Sequence, residues 1–106
     1  MAVLILNIRT EVGQALTSIE AIPFSVAIQQ GNKLAVQQTV DLAYASATIV
    51  DVPPGQYIAL ATHPLTEPIA AAFQFQVAHE EDLILILFIY LESERVLLNI
   101  ETFIES

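Results

Sequence analysis

His63, His79 and the acidic triplet Glu80-Glu81-Asp82 are the residues best equipped for chemistry, being the one grouping of metal-ligand side-chain types in the chain. Zinc asks for about four such ligands in tetrahedral array, and calcium for about six to eight oxygens. The alternation around them reads as strands over about 56–62 and 71–78. If these strands form a hairpin, His63 lies in its connecting loop, whereas His79 begins the next loop, at the other end. A strand of roughly seven residues holds such ends about 23 Å apart, so the two rings cannot share one ion. Glu80-Glu81-Asp82 alone lacks the spacing of a dedicated calcium loop. No metal and no cofactor is expected.

Covalent chemistry finds no footing either. A serine nucleophile needs a histidine base and an orienting acid, and no serine here has a histidine nearby in sequence. There is no Gly-x-Ser-x-Gly turn, and three glycines form no phosphate-cradling loop. Paired carboxylates for glycosidic chemistry need a cleft, which a small compact domain rarely offers. With no cysteine, disulfides, thiolate ligands and thiolate nucleophiles are excluded. The expectation is a protein without enzymatic activity and without a catalytic residue.

Composition points toward association. The chain has 106 residues, enough for one domain spanning 1–106. Its hydrophobic fraction is 55% and its charged fraction only 14%, against roughly 45–50% and 25% in an average globular protein. Twelve acidic residues stand against Arg9, Lys33 and Arg95, for a net charge of −9. That balance disfavours nucleic acid and anionic membranes, which recruit Lys and Arg. It suits a soluble protein kept apart from others by self-repulsion. Residues 1–6 lack the basic stretch of a signal peptide and read as a strand, so a cytoplasmic location is the default expectation.

The elements that position these residues are strands. Residues 83–91, Leu-Ile-Leu-Ile-Leu-Phe-Ile-Tyr-Leu, are nine apolar side chains in series, too few for a membrane helix of about 20 residues. As a strand they turn Leu83, Leu85, Leu87, Ile89 and Leu91 to one face and Ile84, Ile86, Phe88 and Tyr90 to the other. Burying one such side chain stabilises by roughly 1.5–3 kcal/mol, so neither face belongs in water. The five-residue face has no polar atom, whereas the Tyr90 hydroxyl wants water or a partner. The expectation is that the leucine face lies in the core, with Ile84, Ile86, Phe88 and Tyr90 at a subunit seam.

Period-two alternation recurs at 22–29, 34–42, 71–77 and 96–104, with less clean strands over about 2–9, 46–52 and 56–62. Gln38 breaks the apolar phase of its strand and suggests a bulge. Gly31-Asn32 is a two-residue hairpin signal, and Pro53-Pro54-Gly55 forces a turn. Gln29, Gln37, Gln74 and Gln76 occupy outward positions where charge is usual, and neutral amides suit either a solvated face or an interface. Residues 10–20 read two ways. Val12, Ala15, Leu16 and Ile19 have helical spacing behind a Thr10 cap, but Gly13 favours a loop with a short strand.

Ala47 to Thr62, with Val52-Pro53-Pro54-Gly55-Gln56-Tyr57 at its centre, resembles the strand, Pro-Gly-x-Tyr, strand signature of transthyretin-like (prealbumin-like) domains. These include the carboxypeptidase regulatory-like and Cna-B-type domains. Gly13-Gln14-Ala15-Leu16 loosely resembles the turn after their first strand. Tyr57 suits a structural tyrosine corner, its hydroxyl bonded to backbone a few residues upstream. The resemblance implies a two-sheet sandwich serving as an interaction or ligand-presenting module. The hydroxyisourate-hydrolysing branch of that family ends in Tyr-Arg-Gly-Ser and uses a histidine near its N-terminus. This chain ends Phe103-Ile104-Glu105-Ser106 and has its first histidine at 63, so no catalytic residue carries over.

The expected fold is therefore an all-β, antiparallel two-sheet β-sandwich of seven to eight strands, transthyretin-like or Ig-like. Its expected role is non-enzymatic assembly or protein interaction, with a second copy of the chain as the first partner, most simply in a two-fold dimer. The alternative is a small-ligand or carbohydrate-binding module, with its site in loops 63–70 and 43–46 or at a subunit seam. Against it, Tyr44 is the one aromatic residue expected in a loop, and there is no Trp to form a sugar platform.

Overall fold

Every regular element of the computed structural model, which describes residues 2–105, is a β-strand. Met1, which opens the N-terminal strand reading, and Ser106, the last of the terminal tetrapeptide, lie outside the described residues. The first five strands are β1 (Ala2–Thr10), β2 (Ser18–Ile19), β3 (Ile22–Pro23), β4 (Ser25–Gln30) and β5 (Lys33–Thr39). There follow β6 (Ser46–Val52), β7 (Gly55–Thr62), β8 (Ala70–Val77), β9 (Leu83–Leu91) and β10 (Val96–Glu105). They form one four-stranded sheet in the order β10-β9-β1-β6, another in the order β5-β4-β7-β8, and the two-residue ladder β2-β3.

Two expectations about topology are corrected. There are ten strands rather than seven or eight, because β2 and β3 each contribute two residues. The pairing is not wholly antiparallel either: β1 and β9 run parallel, from Val3 opposite Leu83 to Thr10 opposite Tyr90. A period-two pattern reports which side a residue faces but not which way its neighbour runs. Residues 10–20 form turns, an isolated bridge between Arg9 and Ala15, and then β2, with no helix. This is the loop with a short strand that Gly13 favours; Val12, which the helical alternative would place on an apolar side, is exposed, whereas Leu16 and Ile19 are buried.

Local irregularities also fall differently from the alternation. Gln38 pairs in regular register with Val26, on the buried side of β4, and its amide donates to the Thr48 carbonyl of β6 (3.4 Å). The bulge of this pair lies instead between Ile28 and Gln29, opposite Leu34 to Val36. Strand β5 ends at Thr39, leaving Leu42 exposed in the next loop. In β10 the register shifts between Leu97 and Asn99, so Leu98 is the unpaired residue.

Buried side chains of both large sheets belong to one hydrophobic cluster. β1 supplies Leu4, Leu6 and Ile8, β9 supplies Ile84, Ile86, Phe88 and Tyr90, and β4 and β7 supply Val26, Ile28, Tyr57 and Ala59. The placement of Ile84, Ile86, Phe88 and Tyr90 at a subunit seam is thus overturned, since all four are fully buried within the chain. The reason lies in β1. Parallel register puts Leu4, Leu6 and Ile8 beside Ile84, Ile86 and Phe88, and Asn7 and Arg9 beside Leu87 and Ile89. Turning the leucine side inward would carry the Arg9 guanidinium into the core, at the cost of an unpaired buried charge. The neighbouring strand sets the phase of β9.

Candidate functional site: the outward face of the β10-β9-β1-β6 sheet

Cross-strand register lays out the face row by row. Leu83 stands between Val3 and Glu105, Leu85 between Ile5 and Phe103, Leu87 between Asn7 and Glu101, and Ile89 between Arg9 and Asn99. On the far side of β1, Ile5 faces Thr48 and Asn7 faces Ser46 of β6. An apolar centre on β9 and β1 is therefore rimmed by acids on β10 and by hydroxyls on β6. An apolar centre with a polar rim is the usual anatomy of a protein interface.

Exposure along β9 is graded. Leu83 is 39% exposed, and Leu85, Leu87, Ile89 and Leu91 are half-buried by their neighbours in the same sheet. Val50 on β6 and Phe103 on β10 are more than half exposed. Between Ile5, Leu83, Leu85, Phe103 and Ile104 lies a shallow groove of about 160 Å³. Asn7, in the middle of the face, is buried, and its Oδ1 has no hydrogen-bond partner among the described residues. Arg9 turns aside to donate to the carbonyls of Ile8 (3.1 Å) and Tyr44 (2.7 Å).

Tyr57 stands away from this face. Its hydroxyl donates to the Pro53 carbonyl at 2.6 Å, across the Pro53-Pro54-Gly55 turn, and its ring stacks on Phe75 with centroids 5.6 Å apart. Burial raises its phenol above the ordinary tyrosine range. Gly55 opens β7 with φ +154°, a backbone conformation that residues with a Cβ rarely adopt, so the turn needs glycine. Tyr90 differs sharply. Its ring packs on Phe24 at 5.3 Å, its hydroxyl has no partner among the described residues, and desolvation pushes its phenol up to about 12.

The histidines and acids are kept apart. His63 follows β7 and His79 follows β8, at opposite ends of that antiparallel pair. His63 is fully buried against Phe24, with ring centroids 4.6 Å apart. Its Nδ1 accepts the Leu65 N–H (3.0 Å), so Nε2 carries the proton and donates to the Ile22 carbonyl (2.8 Å). Both ring nitrogens are used in holding loop 63–69 to β3. Asp82 Oδ2 accepts the His79 N–H (3.1 Å), closing the turn before β9. Among the described residues, no group of three or more metal-ligating side chains stands together.

Loop 63–69 borders a groove of about 510 Å³ lined by Pro64, Leu65, Glu67, Ile69, Glu94 and Arg95. Its one base, Arg95, is paired with Glu20 at 2.8 Å, and no aromatic ring lines it. Loop 41–46 presents Tyr44, which is exposed. Asp41 organises that loop, its carboxylate accepting the N–H groups of Ala43, Tyr44 and Ser46. The Tyr44 N–H foremost holds the Asp41 carboxyl below the usual carboxylate range.

Sequence reasoning placed the strand of this site and missed its side. The signal that would have found it was Asn7 and Arg9 in the alternate phase of residues 2–10, provided the pairing with 83–91 were known. Among the described residues no helix is long and apolar enough to cross a membrane. Compared with known proteins, the chain matches no family model, no curated protein and no solved structure.

Proposed function

We propose that this chain is a two-sheet β-sandwich of the transthyretin-like kind, working in the cytoplasm as a non-enzymatic assembly module. Copies of the chain associate through the outward face of the β10-β9-β1-β6 sheet. One observation carries the reading: Leu83, Leu85, Leu87, Ile89 and Leu91 all point away from the core, with Val3 and Ile5 beside them. Monomeric proteins rarely leave so continuous an apolar surface uncovered. The low charged fraction of the whole chain supports the same reading.

The test is a mass measurement. Light scattering during size exclusion should return a multiple of the 11.6 kDa chain mass. Leu87→Glu should lower that multiple while leaving the circular dichroism unchanged, because the new carboxylate lies on the surface and opposes the docked copy. An unfolded Leu87→Glu, or one whose mass equals the parent's, would defeat the assignment of this face.

A further inference from the structure

Strand β10 lies at the end of its sheet, and its second edge is free over most of its length. Only the start is covered: the Glu67 N–H donates to the Arg95 carbonyl (2.9 Å), and the Leu97 N–H donates to the Glu67 carbonyl (3.0 Å). Beyond Leu97, Ile100 alone is half-buried and the other residues of Leu98–Glu105 are exposed. Leu97 and Ile100 of β10 still pack against the core, but beyond Ile100 it reaches no further than β9. Ile84 and Ile86 are fully buried, yet their β10 neighbours Ile104 and Thr102 are exposed, Ile104 by 60%. A long open edge with uncovered apolar side chains on both faces is a template for another strand. Neither proline, lysine nor bulge blunts this stretch beyond Asn99, and its only charges are Glu101 and Glu105.

We infer that a second copy of this chain occupies that edge, with β10 pairing antiparallel to its own symmetry mate about a two-fold axis through Thr102. The inference rests on the reading of the chain as an assembly module. The charges select the register. A self-paired antiparallel strand keeps its two faces matched only when the axis passes through a residue. Centring on Glu101 would set that carboxylate against itself, and centring on Phe103 would set Glu101 against Glu105 twice. Like charges directly opposite are destabilising. Centring on Ile100 would need Leu97 and Val96, where Glu67 already lies.

The Thr102 register avoids all three. It joins Asn99–Glu105 of each copy, with Ile100 opposite Ile104 on the core side and Glu101 opposite Phe103 on the outward side. Asn99, whose amide donates to Glu101 within its own strand (3.2 Å), then faces Glu105 of the second copy and can donate to it instead. Ile104, left uncovered by its own chain, gains a neighbour. The two sheets become one of eight strands.

The chain has no cysteine, so single cysteines report the register directly. Thr102→Cys places two thiols opposite one another, within the span of about 4.4–6.8 Å between Cα atoms that a disulfide bridges. Glu101→Cys and Phe103→Cys leave theirs offset by two residues, at about 8 Å, beyond reach. All three positions are exposed. Under mild oxidation Thr102→Cys should run as a dimer on a non-reducing gel, and the other two as single chains. The pair should persist in a Thr102→Cys, Leu87→Glu double variant, at twice 11.6 kDa. Failure of Thr102→Cys to cross-link, or stronger cross-linking at 101 or 103, would overturn the pairing. If Leu87→Glu still lowers the parent's mass, such a failure leaves the docking face standing. Cross-linking at 102 with no effect of Leu87→Glu retains the edge and removes the face.

Discussion

The two large sheets turn different surfaces outward. On the β5-β4-β7-β8 sheet, Ile58 and Leu60 are half-buried among Gln56, Gln74, Gln76, Ala70 and Ala72. Those residues carry no charge, but their amides can bond to water. On the β10-β9-β1-β6 sheet the central strand turns out nothing but leucine and isoleucine, and the acids Glu101 and Glu105 are confined to its rim. Neutral amides leave a surface free either to stay wet or to be covered. A row of leucines has only the second course open to it. The difference locates the need for a partner on one side of the molecule.

The strongest way to break this comparison is to charge each side of β9 in turn. Ile86→Glu buries an unpaired carboxylate in the core and should cost about 5 kcal/mol or more, the whole stability of a domain at the low end of the usual range. Near-ultraviolet circular dichroism should show lost tertiary packing. A folded Ile86→Glu would mean the sides of β9 have been assigned the wrong way round. On the other sheet, Gln74→Glu should change neither fold nor mass. A fall in mass for Gln74→Glu would show that the amide surface is a seam as well.

Each sheet also holds one buried tyrosine, and the two should respond oppositely to loss of the hydroxyl. Tyr57→Phe removes the bond to the Pro53 carbonyl and should destabilise by about 0.5–1.5 kcal/mol in urea titration. Tyr90→Phe removes a hydroxyl that bonds to nothing described, and should leave stability within about 0.5 kcal/mol of the parent or raise it. Equal losses would mean that Tyr90 has a partner. The alkaline limb gives a second reading. With its phenol raised from 10.0 to about 12, Tyr90 binds its proton more tightly in the folded chain than in the unfolded one. Its contribution is complete below pH 10 and is lost as pH rises toward about 12. Tyr90→Phe should flatten that decline.

The smallest effect lies in the loop joining the two sheets, from β5 to β6. The Asp41 carboxyl is held below the ordinary carboxylate range by backbone N–H groups, that of Tyr44 foremost, so the folded loop favours the ionised form. That support is present above the unfolded value and disappears as pH falls through the lowered one. The amide resonances of Ala43, Tyr44 and Ser46 should shift together in acid, and Asp41→Asn should abolish the joint transition. Independent shifts would show that the carboxylate does not organise the loop.

Much of the strand layout could be read from the sequence, because alternation, Gly31-Asn32 and Pro53-Pro54-Gly55 act locally. Strands 2–9, 46–52, 56–62, 71–77 and 83–91 each lie within a residue of the observed bounds. What could not be read was set at a distance. The side of β9 depends on Asn7 and Arg9, far away in the chain, through a parallel register. The β2-β3 turn uses Glu20 and Ala21 at φ 51° and 66°, a conformation usually announced by Gly or Asn. With neither residue present, the hairpin had no signal. Leu98 gave none either, since an extra residue in a strand is visible only against its partner.

Parallel pairing of β1 with β9 also fixes when this protein can fold. Val3 and Leu83 lie 80 positions apart (83 − 3) yet are direct neighbours. Closing so long a loop brings no reward until its last contacts form, which slows folding. During synthesis β1 can find β6 early, but its other edge and the core side chains Leu4, Leu6 and Ile8 wait until residues 83–90 have left the ribosome. Until then an apolar strand is open to any passing chain, the condition under which nascent proteins aggregate or need a chaperone. A chain halted after β8 would keep the whole β5-β4-β7-β8 sheet but lack β9 and β10 from the sheet that shares its core, so its folding waits on those two strands.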